Sequence, residues 1–177
     1  GGGNLLYVME NISLDNKGTA LTSDESIITN RWRVRPIHQW YLDAPRKRAV
    51  PKDMELLGAK FDWVPGNWWY LTGQALSAYA GSAGGYSEGL WGAGIMGPRI
   101  GRFGTYVEAL IGAGGGGGVD TGSALIAKGS AGLSFRVSRD LSLELGLGRL
   151  VSEEGSMDVN LLDTALVYRL GSPIIRK

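Results

Sequence analysis

The fold is decided by "LIAKGSAGLSFRV", residues 125–137. Its odd positions read Leu125, Ala127, Gly129, Ala131, Leu133, Phe135 and Val137, and between them stand Lys128, Ser130, Ser134 and Arg136. Successive side chains leave a β-strand on opposite sides, so this alternation describes a strand with one apolar and one polar face. Shortly downstream, Leu141, Leu143, Leu145 and Leu147 alternate with Ser142, Glu144 and Gly146. Leu57, Ala59, Phe61 and Trp63 alternate with Gly58, Lys60 and Asp62 in the same way, and Val107, Ala109 and Ile111 flank Glu108 and Leu110.

Turn chemistry separates these runs: Pro65-Gly66-Asn67, Gly81 to Gly85, Pro98 to Gly104, Gly114 to Gly122, Ser138-Arg139-Asp140 and Glu153 to Ser156. Most of these breaks are short, so consecutive strands should pair as antiparallel hairpins. Strands are expected near 4–14, 26–42, 54–64, 68–80, 86–97, 104–113, 123–137, 141–151 and 157–170. No capping box precedes an apolar run of period 3.6, so helices are not expected. The class is all-β, an antiparallel up-and-down meander over 26–170.

Nine strands do not suit a single-chain barrel, which closes on an even number in bacterial outer membranes. The last eight suffice for a barrel of about eight strands. The segment 4–14 is then an extra N-terminal strand that pairs outside the barrel, lies along it, or belongs to a larger assembly. Residues 171–177 are a C-terminal tail, and 1–177 form a single domain.

Composition agrees with a folded chain. There are 29 glycines in 177 residues, against a typical share of about 7%. Hydrophobic residues make up 44% and the net charge is +1, which excludes bulk disorder and offers no basic face for nucleic acid. Without cysteine there are no disulfides and no thiolate metal sites. The chain opens on Gly1 with no visible signal peptide, which reads as a processed form or a piece of a longer protein. No stretch approaches the roughly 18 apolar residues of a membrane helix. Only a closed barrel would let this chain span a bilayer.

Which face is inside is the next question. "RWRVRPIHQWYL", residues 31–42, carries Arg31, Arg33 and Arg35 on one face and Trp32, Val34, Pro36, His38 and Trp40 on the other. The polar faces elsewhere hold Lys60, Asp62, Glu88, Glu108, Lys128, Arg136, Glu144 and Asp163 in mid-strand. The same faces hold small residues, among them Gly92, Gly94, Gly112, Gly132, Gly146 and Gly148, which leave volume for long side chains. Aromatics fall toward strand ends: Trp63, Trp68, Trp69, Tyr70, Tyr79, Tyr86, Trp91, Tyr106 and Tyr168. Rings at both ends of the strands suit a membrane barrel, whose girdles sit at a half-wet boundary. The polar faces are therefore expected to turn inward. The arginine ladder would pair with Glu88, Glu108 and Glu144 first, then Asp62 and Asp163, and plug a lumen that eight strands leave barely wide enough for side chains. Trp32, Trp40, Trp63, Trp68, Trp69, Trp91 and Tyr168 are the expected interfacial aromatics.

Over residues 26–170 this patterning resembles small bacterial outer-membrane β-barrel proteins of OmpA/OmpX-like architecture. The resemblance implies a Gram-negative outer membrane as the location, outer-membrane lipid and lipopolysaccharide as surroundings, and a cell-envelope protein as a further partner. Such barrels end in an aromatic-terminated strand; here "TALVYRL", with Tyr168, is followed by "GSPIIRK".

Short motifs add little catalysis. "GYSEG", residues 85–89, spells a nucleophile elbow, but a strand rather than a helix follows, and the sole histidine lies upstream. "GAGGGG", residues 112–117, spells a dinucleotide fingerprint without the helix that would receive a pyrophosphate. "NIS" at Asn11 is a glycosylation sequon in spelling only. His38, the only histidine, falls on the apolar face with no base or carboxylate beside it in sequence. No carboxylate spacing offers a metal site, and no cofactor is expected. "PRKRAVPK", residues 45–52, sets Arg46, Lys47, Arg48 and Lys52 in a loop, where they would meet anionic headgroups.

The leading expectation is a non-enzymatic outer-membrane barrel with a plugged lumen, acting as an anchor or a component of an envelope assembly. A lipid-modifying enzyme using His38 and a soluble lipocalin-like lipid-binding barrel are the alternatives.

Overall fold

The computed structural model describes residues 26–29, 31–65, 68–170 and 173–176. Eight of its strands are β2 (Trp32–Ala44), β3 (Lys52–Trp63), β4 (Trp69–Ala80), β5 (Ser87–Met96), β6 (Phe103–Gly115), β7 (Leu125–Arg136), β8 (Leu141–Ser152) and β9 (Asp158–Leu170). Each pairs antiparallel with the next, and β9 returns to β2 through Val34↔Tyr168 and His38↔Thr164, closing an eight-stranded barrel. Closure leaves no unpaired edge, which an antiparallel meander otherwise exposes.

The single strand expected at 26–42 is in fact two. β1 (Ser26–Thr29) pairs antiparallel with β10 (Pro173–Arg176) in a separate two-stranded sheet, so part of the expected C-terminal tail is a strand. β2 begins at Trp32 because its neighbours are β3 and β9, and the Arg31 carbonyl accepts from Val64 N–H at 3.0 Å at its edge. The expected strand at 4–14 lies outside the described residues.

The barrel has two unlike ends. At the turn end lie Val64, Pro65 and Trp68, the connections 97–102 and 137–140, and the first residue of β2 and the last of β9. At the loop end lie 45–51, 81–86, 116–124 and 153–157. The glycine run belongs there: Gly116, Gly117 and Gly118 have φ of 96°, 57° and 71°, a region costly for residues with a Cβ. A Cβ on Gly117 would also strike the Ala83 carbonyl oxygen. That close approach lets Lys47 N–H donate to the Gly118 carbonyl at 2.9 Å and Asp120 N–H donate to the Pro45 carbonyl at 3.2 Å. Ala83, Val119 and Met157 are buried beneath these loops, which lid the barrel.

Every strand alternates between inside and outside, and the interior has two zones. Met54, Leu56, Leu76, Leu90, Ile126, Leu150 and Leu161 build an apolar core in the loop-end half, around the buried Gln39, Gln74, Glu88 and Lys128. Arg33, Arg35, Lys60, Asp62, Thr72, Glu108 and Glu144 are buried toward the turn end. The outer surface is apolar: Leu57, Leu71, Ile95, Val107, Ile111, Leu133, Leu145, Leu147 and Leu166 are all exposed. A soluble lipid-binding barrel has the opposite arrangement, with its apolar face inward and its charges outside.

Candidate functional site

The interior charges converge on Arg35. Its Nη1 donates to Glu144 Oε2 at 3.0 Å and its Nη2 to Asp62 Oδ1 at 2.8 Å, with Glu108 Oε1 at 2.5 Å and Thr72 Oγ1 at 3.3 Å. Glu108 is held from two further sides, by Lys60 Nζ at 2.6 Å and by the Tyr70 hydroxyl at 2.7 Å. Arg33 Nη2 faces Asp62 Oδ2 at 2.9 Å, and its guanidinium lies 4.1 Å above the Tyr70 ring. A desolvated ion pair is tolerable only when its lone pairs and protons find such partners. Glycines on neighbouring strands make room for the rings. A Cβ on Gly94 would overlap the Tyr70 ring, and one on Gly146 the Tyr106 hydroxyl.

A second cluster lies toward the loop end. Glu88 accepts from Tyr41 at 2.8 Å, Gln74 Nε2 at 2.8 Å and Tyr86 at 3.0 Å. Lys128 Nζ donates to Gln39 Oε1 at 3.0 Å and Gln74 Oε1 at 2.9 Å. Asp163 accepts from Tyr106 at 3.0 Å.

Several expected partnerships are different in the structure. Arg31 precedes β2 and is exposed at the turn-end rim, so the three-rung ladder has two buried rungs. Arg136 ends β7 and is exposed at the same rim. Glu88 and Asp163 pair with tyrosines rather than arginines, because barrel tilt sets them against other strands. Arg35 spreads its donors over three carboxylates instead of making one bidentate fork. The bidentate pair is on the surface: Arg149 Nε and Nη2 meet Asp158 at 2.7 Å and 2.6 Å.

The tyrosines Tyr70, Tyr86 and Tyr106, expected near the girdles, are buried inside. They share strand parity with Thr72, Glu88 and Glu108, and that signal was present in the sequence. Among the expected interfacial aromatics, Trp32, Trp63, Trp68 and Tyr168 are exposed at the turn end, with Trp69 half-buried beside them. Trp40 lies toward the loop end, half-buried. Trp91 instead stands midway along β5, exposed opposite Gly73, where a large ring shields bare glycine backbone.

The basic loop borders a cavity of about 550 Å³ at the loop end, lined by Arg46, Lys47, Arg48 and Lys52 with Ser82 and Gly117. Arg46 anchors it, donating to the Gly81 carbonyl at 2.9 Å, and partial burial lowers its pKa from the ordinary value. Lys52 Nζ reaches Ser82 Oγ at 3.3 Å, while Lys47 and Arg48 are exposed.

His38 has partners that sequence order hides. Its Nε2 lies 2.6 Å from the Tyr79 hydroxyl and 3.1 Å from Glu55 Oε2, and Tyr79 donates to Glu55 at 2.6 Å. The pairing of β2, β3 and β4 assembles this trio on the outer surface, so the expectation of a histidine without an orienting carboxylate was wrong.

No protein-family model and no curated protein matches the chain. Among solved structures, a de novo designed transmembrane β-barrel superposes with a TM-score of 0.56 at 15% identity, over 80% of this chain and 96% of that one. Neisserial surface protein A, NspA, superposes with a TM-score of 0.54 at 11% identity, over 81% of this chain and 98% of that one. At such identities the likeness is one of fold. This chain has the closed eight-stranded antiparallel architecture of small outer-membrane barrels and of designed transmembrane ones.

Proposed function

We propose that the protein is an integral barrel of a Gram-negative outer membrane, with a side-chain-plugged lumen, acting as a structural anchor or as a component of a cell-envelope assembly. One observation carries this reading: the barrel buries its mid-strand charges inside and is apolar outside. Leucine, valine and tryptophan cover its surface while Arg35 and Glu108 are buried. Water would penalise that outer surface by about 25 cal/mol per Å² of exposed apolar area, and a bilayer would not. The turn end then faces the periplasm and the loop end the exterior, as short periplasmic turns and longer external loops dictate.

In that orientation Lys47, Arg48 and Lys52 meet the phosphates of lipopolysaccharide. Each basic residue near an anionic membrane surface contributes about 1 kcal/mol. The test is reconstitution: the chain should need detergent or lipid to remain monodisperse, and Lys47→Gln with Arg48→Gln should weaken its binding to lipopolysaccharide-containing vesicles. A protein that stays monodisperse in plain buffer contradicts the membrane reading.

The His38–Glu55–Tyr79 trio favours a second reading, an acid–base site working on lipid at the membrane surface. The anchor reading expects His38→Ala to leave both the folded barrel and lipid A composition unchanged. Loss of a lipid modification with the barrel still folded would promote the enzyme.

A further inference from the structure

The turn-end mouth concentrates positive charge. A cavity of about 340 Å³ opens there, lined by Arg31, Arg33, Arg99, Arg136 and Arg169, with Asp140 as the only carboxylate among the described residues. Guanidinium groups stay protonated in proteins, so this charge is permanent. Arg33 and Arg169 are direct partners across the β2–β9 seam, and like charges directly opposite on paired strands are destabilising. Arg33 shares its carboxylate, Asp62, with Arg35.

The mouth also holds buried donors without hydrogen-bond partners: Arg33 Nε and Arg169 Nη1. Arg33 itself is only 4% exposed. Buried donors of this kind are rare and call for an explanation. Elsewhere on the surface, Arg149 finds Asp158. Among the described residues, the side chains of Arg99, Arg136 and Arg169 form no ion pair. Arg99, in the 97–102 turn, has its pKa lowered by burial first and then by Arg136 and Arg33, an environment that disfavours further positive charge.

We propose that this mouth is an anion-binding site for a phosphate group, held between the forked guanidinium donors of Arg33, Arg99, Arg136 and Arg169. Planar forks match the oxygens of a phosphate, and charge-assisted bonds of this type are about twice as strong as neutral ones. Trp32, Val64 and Leu170 line the same cavity and give it an apolar wall, so the phosphate arrives either free in solution or on a lipid headgroup. The site lies at the opposite end of the barrel from the basic loop and does not depend on that loop's role.

The test is a titration of the full folded chain in an amine-oxide detergent, which contains no phosphate. Inorganic phosphate is one probe and dihexanoyl phosphatidic acid the other, with folding checked by mobility in unheated electrophoresis. Saturable binding of inorganic phosphate, weakened about tenfold in Arg99→Gln/Arg169→Gln but not in Lys47→Gln/Arg48→Gln, supports the site with a free phosphate. The same variant pattern with phosphatidic acid alone supports it with a headgroup. If the double variant does not fold, Arg99→Gln alone, in an exposed turn, gives the same comparison. Binding of neither probe, or binding lost only in the loop-end variant, overturns the proposal.

Discussion

Arg35 is the point on which the interior depends, and its surroundings differ from those of Arg33 two residues away. Removing the Arg35 guanidinium leaves Asp62, Glu108 and Glu144 facing one another with fewer cations. Breaking a buried ion pair by deleting one partner costs about 3–5 kcal/mol. Arg35→Met should destabilise the barrel by that order. Arg33→Met should cost less, because Asp62 keeps Arg35 as its partner. Urea titration of both variants in lipid vesicles decides it, and equal losses would contradict a network centred on Arg35. Alternation in the sequence was enough to send Arg33, Arg35, Lys60, Asp62 and Glu108 inward. Which cation meets which carboxylate was not legible, because the stagger of a tilted barrel brings together strands far apart in sequence. The same stagger hid Glu55 and Tyr79 from His38. Parity did foretell the buried Tyr70 and Tyr106, but their ring chemistry favoured a girdle.

β8 shows how much one element reveals. Leu143, Leu145 and Leu147 are exposed on the outside of the barrel, while Ser142 and Glu144 are buried within it. Leu145 lies in the central part of the strand, paired with Leu133 and Thr164. In a bilayer it meets hydrocarbon, so Leu145→Arg should cost about 2–4 kcal/mol if the site is near the midplane. Glu144→Gln changes a lumen contact instead: it removes the charge facing Arg35 but keeps an acceptor oxygen. The two variants should therefore separate in a vesicle-folding titration, with Leu145→Arg losing stability in proportion to bilayer depth. Similar behaviour would contradict the facing. Strand boundaries were legible wherever glycine, proline or a polar cluster stopped the alternation. The break before Trp32 was not, because in "SIITNRWRV" only Thr29-Asn30-Arg31 interrupts the run, with no glycine or proline; only the pairing of β1 with β10 separates the two strands.

At the scale of the whole molecule the interior is closed twice. Eight strands enclose a space that side chains can fill, and here Arg35, Lys60, Tyr41, Tyr70, Tyr86 and Met54 are all fully buried within it. The layer centred on Arg35 lies toward the turn end, and the apolar core, which also encloses Glu88 and Lys128, lies toward the loop end under Ala83, Val119 and Met157. An ion entering from the loop end would have to part Ala83, Val119 and Met157 and the packed side chains that enclose Glu88 and Lys128. One entering from the turn end would pass the arginines of the mouth and then meet Arg33 and Arg35, already committed to Asp62, Glu108 and Glu144. Reconstituted protein should therefore give no steady conductance in a planar bilayer. The two barriers are separate in space, so replacing residues 116–124 with a short turn should loosen the lid without opening a pore. A stable open channel in the unaltered protein would show that the salt-bridged layer is mobile enough to pass ions, and the plugged barrel would have to be abandoned.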